Sequence, residues 1–140
     1  MNTLLNRLAQ QLAIAPLSAD EKGRYRVTIA GHDLILEPTG LNMTVRSVLP
    51  CTVDLARQDG LAAAQRALGL VTSWGRRQPQ ALAMDPDGRW VVEARLELAS
   101  LDYPTFEAVL DAHVDALEAL RPVLEQTPGK RHGGALAWRP

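Results

Sequence analysis

The sequence predicts an α+β fold: an antiparallel, twisted sheet of about five strands packed with three helices, in the order α-β-β-β-α-β-β-α. Three observations carry that expectation. Leucine and alanine recur at helical spacing near the start, the middle and the end of the chain. Three short alternating segments with turn residues between them follow the first helical stretch. Asp85-Pro86-Asp87-Gly88 then separates two further strand-like runs.

Residues 2–14 form the first expected helix. Leu5, Leu8 and Leu12 are spaced three and four apart, Asn6, Arg7 and Gln10 lie opposite, and Pro16 is the expected stop. Arg24–Ile29 alternates, with Tyr25, Val27 and Ile29 on one face and Arg26 and Thr28 on the other. A turn at Gly31-His32 leads to a short apolar strand, Asp33–Glu37, containing Leu34 and Leu36. Pro38, Thr39 and Gly40 are the next expected turn, and Leu41–Leu49 alternates again, with Leu41, Met43 and Val45 on one face. Strands joined so tightly imply an antiparallel meander.

Residues 59–74 are the second expected helix, with Leu61, Ala64, Leu68 and Val71 as its stripe and Gly75 as its terminator. Gly69 inside it costs about 1 kcal/mol against alanine, which suggests close backbone packing there. Gln78–Met84 and Arg89–Leu98 flank the Asp-Pro-Asp-Gly turn. The second of these strands puts Trp90, Val92, Ala94, Leu96 and Leu98 on one face. The third helix is expected from Pro104 to Arg121, with Asp102 as N-cap and Phe106, Leu110, His113, Leu117 and Leu120 as its stripe. Pro122 is expected to end or kink it.

Composition bounds what this body can do. With 46% hydrophobic and 22% charged residues in 140, the chain is one ordinary globular domain, expected over residues 1–126. Residues 127–140 carry Lys130, Arg131 and Arg139 and no acid, and are expected to be a disordered basic tail. Taking those three charges from the net −1 leaves −4 on the body. That balance gives no pull toward nucleic acid. No apolar run is long enough for a signal sequence or a membrane span, and Cys51, the only cysteine, cannot form an intramolecular disulfide. A cytoplasmic protein without membrane insertion is expected.

Catalytic chemistry needs a nucleophile with a partnered base, and none assembles. Cys51 stands at a strand end beside Pro50, His32 in a turn, His113 on a helix stripe and His132 in the tail. No metal-ligand spacing and no phosphate-cradling glycine loop is present. His113 is expected to be a partly buried helix residue whose ring meets a backbone or carboxylate partner, Cys51 a small hydrophobe, and Glu93 and Glu97 a solvated sheet face. The expectation is therefore a binding protein with no enzymatic activity, no cofactor and no metal.

The element order, the leucine-rich first helix, the Asp-Pro-Asp-Gly hairpin before an alternating strand and the long last helix together resemble the class I chaperones of bacterial type III secretion. The resemblance covers about residues 2–125. It implies a homodimer joined through the second helix and the short strand after it, here Leu61, Ala64, Leu68, Val71, Trp74, Ala81 and Leu82. It also implies a client, the N-terminal region of a secreted effector, held in extended form over apolar patches and kept export-competent. The first helix (Leu5, Leu8, Leu12) and the meander (Leu34, Leu36, Met43, Val45) are the expected patches, and the export ATPase is a further expected partner. Two other readings compete. One is a non-catalytic adaptor or regulator of secretion with the same fold. The other is a small dimeric thioesterase-like enzyme, whose long central helix would precede most of the strands, unlike the order here.

Overall fold

A computed structural model describes residues 2–52, 54–74 and 79–125 of the chain. The expected tail 127–140 and the expected helix terminator Gly75 lie outside them.

The architecture is the expected one. Helix α1 (Asn2–Leu12) is followed by strands β1 (Tyr25–Ile29), β2 (His32–Thr39) and β3 (Asn42–Thr52). Helix α2 (Gln58–Trp74), strands β4 (Ala81–Met84) and β5 (Arg89–Glu97) and helix α3 (Tyr103–Glu125) complete it. All neighbouring strands are antiparallel, in the order β1-β2-β3-β5-β4, so β1 and β4 are the two edges.

The ends of the elements show which local forces won. α1 stops short of Pro16: Ile14 N–H donates to the Ala9 carbonyl and Ala13 N–H to that of Gln10, with Ala13 at φ 55°. That is a Schellman motif with alanine in the left-handed position usually given to glycine. The first hairpin turns at Ala30-Gly31, one residue earlier than expected, and both residues have positive φ as a type I′ turn demands. Pro38 lies inside β2 opposite Met43, not in a turn. The pairing with β1 ends at Leu36, so beyond it β2 is an edge where a missing N–H costs no ladder bond. Leu41 therefore sits in the turn, 78% exposed, and does not share the inner face of Met43 and Val45.

α3 corrects the expectation at Pro122. The helix runs through it to Glu125, because the residues beyond it, Val123 and the fully buried Leu124, pack into the core. Its start is as expected: Thr105 N–H donates to Asp102 Oδ1 at 2.9 Å, and hydrogen bonding from Thr105, its side chain first and then its backbone, holds the Asp102 carboxyl below the usual range. Asp85 organises the last hairpin likewise, accepting from the Arg89 backbone N–H at 2.8 Å and the Asp87 N–H at 3.0 Å.

The core has two parts on the inner face of the sheet. One joins Leu5 and Leu8 of α1 to Val27, Leu34, Leu36, Met43 and Val45 of the meander, beneath Phe106 and Leu110 of α3. The other joins Ala64 and Ala67 of α2 to Leu49, Trp90 and Val92, beneath Leu117, Leu120 and Leu124. Phe106, Leu110, His113, Leu117 and Leu120 are all buried, as their spacing predicts.

α2 reverses the expectation for glycine. A Cβ on Gly69 would meet open space, whereas one on Gly60 would collide with the Asp54 carbonyl oxygen. Gly60, not Gly69, is where the helix backbone makes its close approach.

Candidate interaction surfaces

Three regions of the surface are left unfinished by the fold. The first is the open edge of β1. Ile29 and His32 close a two-residue turn and so form a hydrogen-bonded pair. The alternation of antiparallel ladders then makes Val27–Leu34 and Tyr25–Leu36 the other bonded pairs. It follows that the backbone N–H and C=O groups of Arg26 and Thr28 point away from β2, outward. Two residues earlier the edge is closed, because Asp20 N–H donates to the Arg24 carbonyl at 2.8 Å. On the inner side this edge is apolar: Tyr25 and Ile29 are half-buried, next to the half-buried Leu4, Leu12 and Leu17. On the outer side Thr28 Oγ1 donates to Asp33 Oδ1 at 2.9 Å, and Arg26 lies exposed opposite Ile35.

The second region is the outward face of α2 with the edge strand β4. Leu61 is 44% and Leu68 48% exposed, two turns apart on one side of the helix, with the bare backbone of Gly69 beside Leu68. Ala81 and Met84 are exposed on β4. The sequence stripe joined Leu61 and Leu68 to Ala64 and Val71, and the structure divides them. The small side of the helix (Gly60, Ala63, Ala64, Ala67) faces the core, while Val71, Trp74 and Leu82 pack half-buried around it. Only Leu61, Leu68 and Ala81 of the seven expected interface residues stand exposed on the protomer.

The third is the outer sheet face. A hollow of about 230 Å³ opens there between Val48, Met84, Ala83 and the buried Val91, with the Arg46–Glu93 ion pair (2.8 Å) at its side. Glu93 is thus half-buried and paired, while Glu97 is exposed as expected.

The expected client patches need a correction. Leu5, Leu8, Leu34, Leu36, Met43 and Val45 are all buried, and only Leu12 is half-exposed. Strand alternation correctly put the meander residues on one face. That face is the one the helices cover, so they are core and cannot meet a client on the closed protomer. What lies within reach of a client is the rim: Leu12 and the β1 edge. Edge backbone carries no residue-type signal, which is why the sequence did not single out Arg26 and Thr28.

The titratable groups among the described residues form no catalytic arrangement. His113 is fully buried, and its Nε2 lies 2.9 Å from Ser47 Oγ. Ser47 in turn donates to the Asp33 carbonyl at 2.8 Å. Its one hydroxyl hydrogen is thereby used, so His113 donates Nε2–H to Ser47 and Nδ1 is left as a bare lone pair with no partner. Burial, with a smaller contribution from His32, lowers the His113 pKa to about 4. His32 Nε2 lies 3.4 Å from Glu118 Oε2 at the rim of a polar cavity of about 220 Å³. Among the described residues no cluster of His, Cys, Asp and Glu could hold a metal ion, and no helix is long and apolar enough to cross a membrane.

Comparison with known proteins adds a family. The profile of the Tir chaperone protein (CesT) family matches residues 3–121. The chaperone protein YscB of Yersinia enterocolitica is 33% identical over 127 residues, which is 89% of this chain and 91% of that protein. YscB of Yersinia pestis matches to the same extent. The fold is shared with a chain of the heterodimeric ExoU–SpcU complex from the type III secretion system of Pseudomonas aeruginosa, at a TM-score of 0.71 and 23% identity, covering 91% of this chain and 99% of that one. It is shared also with a chain of the ExsC–ExsE complex, at a TM-score of 0.68 and 20% identity, covering 88% and 92%.

Proposed function

The chain belongs to the Tir chaperone protein (CesT) family, and we propose that it works as a cytoplasmic type III secretion chaperone, a non-catalytic homodimer that holds the N-terminal region of an effector in extended form. The observation that carries this reading is the open edge of β1, whose outward N–H and C=O groups at Arg26 and Thr28 run beside a half-buried apolar rim of Leu12, Leu17, Tyr25 and Ile29. An extended segment satisfies both halves of such a site. Its backbone completes the ladder and its alternate side chains cover the apolar rim. Binding of this kind spreads modest affinity over a long segment and leaves the client unfolded.

Dimerisation is supported by the exposed face of α2. Leu61, Leu68 and the bare backbone at Gly69 form a surface that a second copy would cover with close helix packing. Release of the segment would come from a partner at the export machine, for which the export ATPase is the candidate.

Co-expression of the chain with successive fragments of an effector encoded beside it tests the proposal. Light scattering should report two copies of the chain with one effector fragment. The stable fragment should be an N-terminal segment that stays sensitive to protease outside the bound stretch. Capture of a folded regulator with no extended segment would replace the chaperone reading by that of an adaptor.

A further inference from the structure

The outer side of the β1 edge carries a cation that forms no ion pair among the described residues. Arg24, Arg46 and Arg89 each have a carboxylate within 2.8 to 3.3 Å: Asp20, Glu93, and the pair Asp85 and Asp87. Among the described residues Arg26 has no acid within ion-pair distance. Its direct cross-strand neighbour is apolar Ile35, its same-side neighbours along the chain are Arg24 and Thr28, and Asp33 and Glu37 stand diagonally from it on the outer face of β2 without reaching ion-pair contact. Thr28 is already bonded to Asp33. Arg95 also lacks an ion pair, but it lies on β5, pairs across to Thr44 on β3, and is flanked on its own face by Glu93 and Glu97. Arg26 is thus the cation on the edge strand that forms no ion pair among the described residues, and its own N–H and C=O are among the groups that await a partner strand.

A strand added beside β1 places one residue directly across from Arg26, on the same face of the extended sheet, and the residues on either side of it on the inner, apolar face. An inner-face residue then lies by Tyr25 and Val27 and by the leucine rim, where an apolar side chain is favoured. The outer residue lies against an exposed guanidinium, where a carboxylate is favoured and an ammonium is repelled. The position across from Thr28 faces a satisfied hydroxyl and selects weakly.

We infer that Arg26 is a specificity-determining residue of the client site, and that the segment it accepts is an extended strand of alternating pattern, apolar–acidic–apolar, with the acidic side chain across from Arg26. The inference rests on the reading of the β1 edge as the client site and adds to it the chemistry of the partner.

Two capped synthetic peptides test it, each alternating valine and threonine, one with glutamate and one with lysine at the central threonine position. Amide hydrogen exchange follows the Arg26 and Thr28 N–H groups, and chemical-shift titration gives the affinities. Protection of both amides and a preference for the glutamate peptide of roughly fivefold, shrinking with added salt, is the expected result. Arg26→Glu should reverse the preference and Arg26→Gln abolish it, both with an unchanged thermal midpoint because the side chain is exposed. If both peptides protect the edge equally in all three proteins, strand addition stands and the role of Arg26 is overturned. If neither peptide protects Arg26 and Thr28, the client site itself is elsewhere and the inference falls with it.

Discussion

Ser47 and His113 meet across the sheet–helix boundary, Nε2 to Oγ at 2.9 Å, and tie the middle of α3 to β3 and, through the Asp33 carbonyl, to β2. The bond fixes which ring nitrogen carries the proton and leaves Nδ1 without an acceptor to bond if a second proton arrives. Protonation of the folded protein would bury a cation whose new N–H has nowhere to donate, which is the physical source of the low pKa.

A pH dependence follows, with its sign fixed by linkage. In the unfolded chain His113 takes up a proton near pH 6.5, while in the folded protein it does so only near 4. Between those values the unfolded state binds more protons, so stability falls as the pH drops, by up to about 3 kcal/mol from this residue. Denaturant midpoints taken from pH 7 to pH 4 should therefore decline. His113→Gln should flatten that part of the decline while lowering stability at pH 7. An unchanged slope in the variant would show that His113 does not titrate in this window.

Burial decides the fate of charge placed at the residues the sequence suggested as client patches. Met43 is fully buried and Leu8 nearly so, in the same cluster. Met43→Glu and Leu8→Glu should each cost several kcal/mol and leave little folded protein, read as loss of the cooperative thermal transition. Retention of a normal midpoint in either variant would place that side chain at the surface. Leu12→Glu, at the half-exposed rim, should leave the fold intact and weaken only client binding.

Gly60 offers a test of how closely α2 is seated. An added Cβ meets the Asp54 carbonyl oxygen, which is backbone and cannot swing aside. Gly60→Ala gains about 1 kcal/mol of helix propensity yet should still destabilise the protein, by about 1–3 kcal/mol from overpacking. Gly69→Ala meets nothing on the protomer and should raise the midpoint of any monomer.

Much of this structure could be read from local chemistry. Alternation in Arg89–Leu98, the Asp-Pro-Asp-Gly turn and the Asp102 cap each depend on residues close in sequence, and each appears where its pattern put it. The misreadings at Pro38, at Pro122 and on α2 needed tertiary information. Pro38 is tolerated in a strand because β1 ends first, and Pro122 is tolerated in a helix because Leu124 has a core to enter. Periodicity located apolar stripes but could not say which side of a stripe is covered. Leucine outranks alanine on any hydrophobic scale, yet on α2 it is Ala63, Ala64 and Ala67 that are buried, on the side that packs with α3 and the sheet residues of the second core cluster. For the proposed client site, the sequence pointed to residues of α1 and the meander that the fold mostly buries, and it did not single out the β1 edge. An open edge is a property of strand order, which Arg26 and Thr28 do not reveal by their identity.

The divided face of α2 gives the sharpest test of the assembly. Leu68 is half exposed on the protomer, so Leu68→Asp removes little from the fold of a single chain beyond a few tenths of a kcal/mol of helix propensity. Within a dimer joined through this face, the same carboxylate would be buried without a partner against the second copy's helix, at a cost of several kcal/mol. Light scattering over a dilution series should therefore find the unaltered chain as a dimer and Leu68→Asp as a folded monomer with near-normal circular dichroism. Ala67→Asp, one residue earlier and fully buried, should instead lose the fold, because its side chain lies inside the second core cluster. If the unaltered chain is a monomer, or if Leu68→Asp stays dimeric at every concentration, the dimer does not use this face. Client binding adds a second readout, because a segment that wraps both copies gains by multivalent attachment and should bind the Leu68→Asp monomer more weakly even though its β1 edge is intact.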